Sequence, residues 1–209
     1  MIISLAAELK TVRGPSELVW VGSEMSPMVG FIFIVDVIAL LVLLVGIVWS
    51  VAVPARRIWP PPSKRSWQYL STWFLFYLVL SLNTLLLVLD WNTWVFDDPN
   101  RFIIGIPLAV IGTLLLVSGV RTLGIRNTSG LSDGFIIDGP YRFTRNPQYL
   151  GDMMLFIGLS IMANSLMLWL AHALLILVFS ITPLAEEDWL KDQYGDSYRS
   201  YFEGTSRFL

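Results

Sequence analysis

The sequence predicts an all-α fold: a polytopic integral membrane protein with about five transmembrane helices and a cytoplasmic C-terminal helical tail. Three observations predict it. Hydrophobic residues make up 55% of the 209-residue chain and charged ones only 14%, against about 25% charged in an ordinary soluble domain. The apolar residues lie in long blocks separated by short polar links. Lys and Arg crowd onto alternate links, as they do when one side of a membrane retains positive charge. The remaining composition excludes several chemistries. A net charge of -2 offers nucleic acid no basic face. The lack of Cys removes disulfides, thiolate nucleophiles and thiolate metal sites. A single His leaves neither a His-rich metal centre nor a Ser-His-Asp triad, so no metal site is expected.

A bilayer core of roughly 30 Å takes about 20 apolar helical residues to cross. Residues 1–28 are mixed in polarity, fit an interfacial segment, and lack the pattern of a removable signal peptide. Span one then runs from Val29 to Val53, interrupted by Asp36, and span two from Trp67 to Leu89. Span three covers Phe102 to Val120, span four Pro147 to Ala163, and span five Leu166 to Ile181. The turn at Asn164 and Ser165 is so short that spans four and five must form an antiparallel hairpin. The chain thus divides into residues 1–28, spans one to three over 29–120, and a polar-loop and hairpin region over 121–209 that holds the candidate site.

Sidedness follows from the basic residues. Arg56, Arg57, Lys64 and Arg65 sit between spans one and two, and Arg121, Arg126, Arg142 and Arg145 between spans three and four. Lys191, Arg199 and Arg207 lie in the tail, while the other side holds Lys10, Arg13 and Arg101. An odd number of spans fits, with the N-terminus outside and the C-terminus cytoplasmic.

Two segments on the basic side gather the polar chemistry. The connection from Arg121 to Asn146 far exceeds the usual few residues between packed helices. It ends in GPYRFTRNPQYLG, residues 139–151, where Asn146 fits the N-cap of span four and Pro147 its first turn. Free N–H groups at such a helix start attract a carboxylate or phosphate, and Arg142 and Arg145 strengthen that preference. The second segment is EEDWLKDQYGDSYRSYF, residues 186–202. Pro183 starts or kinks a helix there, Glu186 and Glu187 follow, and Gly195 fits a helix C-cap before a last short helix. Each feature also has an ordinary reading: Arg142 and Arg145 as positive-side anchors, the two Glu as charges on a helix dipole worth roughly 0.3–1 kcal/mol, the tyrosines as an interfacial belt. Their order along the chain carries the argument.

That order resembles the isoprenylcysteine carboxyl methyltransferase and phospholipid N-methyltransferase superfamily of membrane enzymes. The matching residues are Gly139-Pro140-Tyr141-Arg142, Arg145-Asn146-Pro147 with Tyr149, a hairpin, Glu186-Glu187, and then Tyr194-Gly195, Tyr198, Tyr201 and Arg207. The resemblance implies S-adenosylmethionine, released as S-adenosylhomocysteine, held between the last helices and the tail. It implies also a lipophilic acceptor, a prenylcysteine-like carboxylate or lipid headgroup, entering from the bilayer. Carried over, Tyr141, Arg145, Asn146, Pro147, Tyr149, Leu150, Glu186 and Glu187 bind the cofactor, and Arg142, Arg145 and Glu187 serve catalysis. Asp152, Tyr198, Tyr201 and Arg207 are candidates for the acceptor. Asn146 stands where the carboxyl methyltransferases usually carry His, so no proton transfer is assigned to it.

Ionisable groups inside spans are costly and are functional candidates by default. Asp152 is placed near the cofactor, free to offset a sulfonium or to pair with Arg142 or Arg145. Asp36 reads as an interhelical hydrogen-bonding residue and His172 as a packing one. Two rival functions remain: a sterol- or steroid-type membrane reductase using NADPH, and a non-enzymatic transporter or scaffold. No inverted repeat supports the transporter.

Overall fold

The computed structural model describes residues 26–208. The interfacial reading of residues 1–28 therefore concerns positions lying almost wholly outside the described residues. Those described form five α-helices and no strand: α1 (Pro27–Ala52), α2 (Trp67–Leu89), α3 (Arg101–Thr128), α4 (Pro147–Ala163) and α5 (Leu166–Gly204). The protein is a multi-pass integral membrane protein, and its elements follow local chemistry. Pro27 and Pro147 open α1 and α4, where a missing N–H costs nothing. Ser66 and Ser165 cap α2 and α5 by accepting the Tyr69 and Leu168 N–H groups at 3.2 and 3.1 Å. Two helices outrun the expected spans. α3 continues past Val120 to Thr128, bending at Gly124 (φ 81°, ψ 156°). α5 continues through Pro183 and turns sharply at Gly195 (φ 56°, ψ -132°).

Four of these helices are long and apolar enough to cross a membrane. α4, at 17 residues, is about 26 Å long at 1.5 Å per residue. Its far end shows that it nonetheless returns the chain to the opposite surface. The Asn92 N–H donates to the Ala163 carbonyl at 2.7 Å and the Trp94 N–H to that of Asn164 at 2.9 Å. Asn164, left-handed at φ 47°, donates its side-chain amide to the Trp94 carbonyl and accepts from the Phe96 N–H. The α4–α5 turn is thereby stitched to the α2–α3 link.

α1 packs between α2 and α5, and α4 joins that group to α3. Leu40, Leu43, Val79, Phe156, Leu175 and Phe179 form the shared core. α3 and α4 approach closely through glycines: a Cβ on Gly151 would stand 2.6 Å from the Leu116 nitrogen, and one on Gly158 2.7 Å from that of Ala109. Phe31, Val45, Phe74, Val88, Ile103 and Leu114 point outward, which only a hydrocarbon surround makes favourable for so many large side chains. Two ionisable groups inside the spans, Asp36 and His172, find partners. Both Asp36 oxygens accept from the Asn83 amide, at 3.0 and 3.1 Å. His172 meets the Ser160 hydroxyl at 2.7 Å, and that hydroxyl lies 2.9 Å from the Phe156 carbonyl.

Candidate active site

The site lies at the end of the bundle where α3 stops and α4 starts. Its framework is backbone. Gly139 takes φ 56°, a left-handed value that only glycine adopts freely, and leads into a 3-10 turn over Gly139–Arg142 that buries Tyr141. The chain then runs alongside the tail. The Arg145 N–H donates to the Ser206 carbonyl at 2.9 Å, and the Thr144 hydroxyl and Asn146 amide both donate to the Arg207 carbonyl at 3.0 Å. Asn146 occupies the N-cap of α4, yet its side chain caps nothing; the tail has claimed it. The bend at Gly195 folds Tyr198, Tyr201 and Phe202 back over this segment, and Tyr201 donates to the Tyr141 carbonyl at 2.6 Å.

Charge is concentrated on the α5 side. Glu187, 7% exposed, accepts from Nε and Nη2 of Arg207, both at 2.8 Å, and lies 3.3 Å from Arg145 Nη1. The bidentate contact pushes the Arg207 pKa above its ordinary value. Arg145 also stacks over the Phe202 ring at 3.9 Å. Its Nε and Nη1 are buried without a hydrogen-bond acceptor. Oε1 of Glu186 accepts two donors, the Tyr149 hydroxyl at 2.6 Å and the Trp59 indole N–H at 2.7 Å. Burial pushes the Tyr141 hydroxyl well above the ordinary phenol pKa, an effect offset in part by its hydrogen bond with Gln148.

Between these groups opens a cleft that is continuous with solvent. Among its walls are Tyr141, Arg145, Asn146, Tyr149, Glu186, Glu187, Tyr198 and Tyr201, all expected from sequence. Five other expected residues lie outside those walls. Arg142 is exposed and paired with Asp138 at 2.8 Å, because the 3-10 turn aims it away. Pro147 is buried against Gly119 in the α3–α4 seam, and Leu150 enters the hydrogen bonding only as backbone, to Asn146. Arg207 acts on the cleft through Glu187. Asp152 pairs with neither Arg142 nor Arg145, whose carboxylate partners are Asp138 and Glu187. It follows Gln148 by four residues and Tyr149 by three, so it lies one turn deeper on the same face of α4. Among the described residues it has no hydrogen bond or ion pair.

Several wall residues escaped the sequence reading. Phe135 sits within 5.3–6.0 Å of the rings of Tyr194, Tyr198 and Tyr201. Gln148 donates to the Tyr141 hydroxyl at 2.8 Å and to Thr128 at 3.0 Å. Pro60 arrives from the α1–α2 link, and Trp59 before it reaches the wall residue Glu186 without lining the cleft itself. In the sequence that link stands out only for its basic residues, and nothing in its pattern marks these two as part of a site.

Residues 100–197 match the phospholipid methyltransferase family, within the integral membrane methyltransferase superfamily. No curated protein and no solved structure matches the chain. The match bears out the resemblance of the 139–151 and 186–195 motifs. The matched region contains α3, the long loop, α4 and most of α5. It stops short of Tyr198 and Tyr201, which wall the cleft from the tail, and of Phe202 and Arg207, which hold Arg145 and Glu187.

Proposed function

We propose that the protein transfers a methyl group from S-adenosylmethionine to a lipophilic acceptor that reaches the cleft from the bilayer. The observation that carries this reading is Arg145, whose buried Nε lacks an acceptor and whose Nη1 has only an unaligned 3.3 Å contact with Glu187, beside a cleft walled by aromatic rings and by Glu186. That donor set fits the cofactor. Arg145 would hold its carboxylate, Glu186 its hydroxyls or amino group, and the Phe135–Tyr194 pair its purine. When bound, the cofactor supplies an electrophilic methyl group on a sulfonium. Glu187 keeps Arg145 and Arg207 in place and balances their charge. Tyr141 and Tyr149 line the floor, and Tyr198 and Tyr201 close the outer wall against water, which favours displacement by an uncharged or anionic nucleophile.

Asp152 marks the acceptor end. An unpaired carboxylate one turn below the cleft attracts an amine and repels a carboxylate, so a lipid amine headgroup suits this site better than a prenylcysteine carboxylate. α3 leans chiefly on α4, which leaves its side toward α1 and α2 as the way in from lipid. The basic links support an orientation with the cleft cytoplasmic and the N-terminus outside.

Calorimetric titration of the detergent-purified protein with S-adenosylhomocysteine and, separately, NADPH tests the reading. Saturable binding of the first, weakened in Glu186→Gln and absent for NADPH, is expected. NADPH binding alone would move the arginines to phosphate recognition and the protein to the reductases. Binding of neither by folded protein would remove the enzyme reading.

A further inference from the structure

We infer that Trp59, outside the region that matches the methyltransferase family, is a positioning residue that aims Glu186 into the cleft. The inference rests on the cofactor reading above. A carboxylate oxygen has two lone pairs available to donors, and both on Oε1 of Glu186 are taken, by Trp59 Nε1 at 2.7 Å and the Tyr149 hydroxyl at 2.6 Å. Two fixed donors on one oxygen stop rotation of the carboxylate and leave Oε2, which has no hydrogen bond within the described residues, as the atom offered to a ligand.

Trp59 is itself held firmly enough to serve. It is 6% exposed, and its backbone N–H and that of Ile58 both donate to the Ser50 hydroxyl in α1, at 3.0 and 2.9 Å. The next carbonyl, of Pro60, accepts from Arg57 at 3.0 Å. Its ring lies so close to Gly130 of the α3–α4 loop that a Cβ there would stand 2.7 Å from it. The α1–α2 link is thereby wedged between that loop and α5. Tyr149 alone leaves Oε1 with one donor, so removing the indole frees the carboxylate to turn away from the cleft.

The test is S-adenosylhomocysteine affinity, measured by calorimetry together with the thermal midpoint, for the wild type, Trp59→Phe, Glu186→Gln and the double variant. Loss of one hydrogen bond to a charged group predicts about tenfold weaker binding for Trp59→Phe. In the Glu186→Gln background the same change should cost nothing further, because the group it aims is already lost. Ser50→Ala, a smaller perturbation, should weaken binding a few-fold by loosening the Trp59 backbone. It too should have no effect on top of Glu186→Gln. Wild-type affinity in Trp59→Phe, or effects that multiply in the double variant, would overturn the positioning role while leaving the cofactor reading intact. No binding by folded wild-type protein would overturn both.

Discussion

Arg142 and Arg145 are three residues apart, yet the backbone sends them to opposite environments. Arg142 points to solvent with Asp138, a pair whose contribution is about 0–1 kcal/mol. Arg145 is enclosed by Glu187 and Phe202, where removing one member of a buried pair costs about 3–5 kcal/mol. Arg142→Ala should therefore leave S-adenosylhomocysteine affinity and thermal midpoint unchanged in the same calorimetric assay. Arg145→Ala should lower the affinity at least about tenfold and reduce the midpoint too, since Glu187 then keeps only Arg207. Equal effects of the two substitutions would remove Arg145 from the cleft. Asp152 separates the two ligands of the proposed reaction. Asp152→Asn should raise the apparent KM for an amine-headgroup lipid about tenfold or more while cofactor affinity holds, because it sits a turn below the cofactor walls. A loss of cofactor affinity instead would place it in the cofactor site. None of this was legible as geometry in the motif, which contains both arginines without a sign of which one faces inward.

At the scale of elements, the boundaries readable from sequence were those marked by chemistry on both sides. Asn146-Pro147 before span four announces a helix start, and the Asn164-Ser165 pair announces a turn; α2 and α4 begin and end as expected. α3 and α5 overran because hydropathy reports where lipid ends, not where helical hydrogen bonding ends. Their last turns are polar yet still helical, and the breaks fall at Gly124 and Gly195. The α3–α4 seam was equally hidden, since Gly105, Gly112, Gly151 and Gly158 gain meaning only when two helices face each other. That seam positions the cleft, since α3 leads into the long loop and α4 leads out of it. Gly151→Ala should push the helices apart, at about 1–3 kcal/mol for an overpacked contact, and lower both the thermal midpoint and cofactor affinity. Gly204→Ala, with nothing within 4 Å, should leave both alone. A tolerated Gly151→Ala would mean that the seam is looser than these distances.

The whole molecule depends on parity. Composition alone made a multi-pass membrane protein legible, and alternating basic links suggested five crossings. α4 is short for a span, and counting it or not decides whether the tail shares a side with the α1–α2 link. The contacts require that it does. Trp59 from that link and Glu186 from α5 share a hydrogen bond, while Asn164 at the other end of α4 is bonded to the α2–α3 link. Because the chain has no native Cys, single cysteines can report this directly. Ser63→Cys on the α1–α2 link, Val95→Cys on the α2–α3 link and Glu203→Cys near the tail all replace exposed residues. A membrane-impermeant maleimide applied to intact cells should label Val95→Cys alone, and the other two only after permeabilisation. Labelling of the other two instead would invert the molecule, setting the cleft outside and removing it from a cytoplasmic cofactor pool. Ser63→Cys and Glu203→Cys must behave alike in either case, since five crossings put them on one side. A split between them would mean four crossings, and the bond between Trp59 and Glu186 would then be impossible.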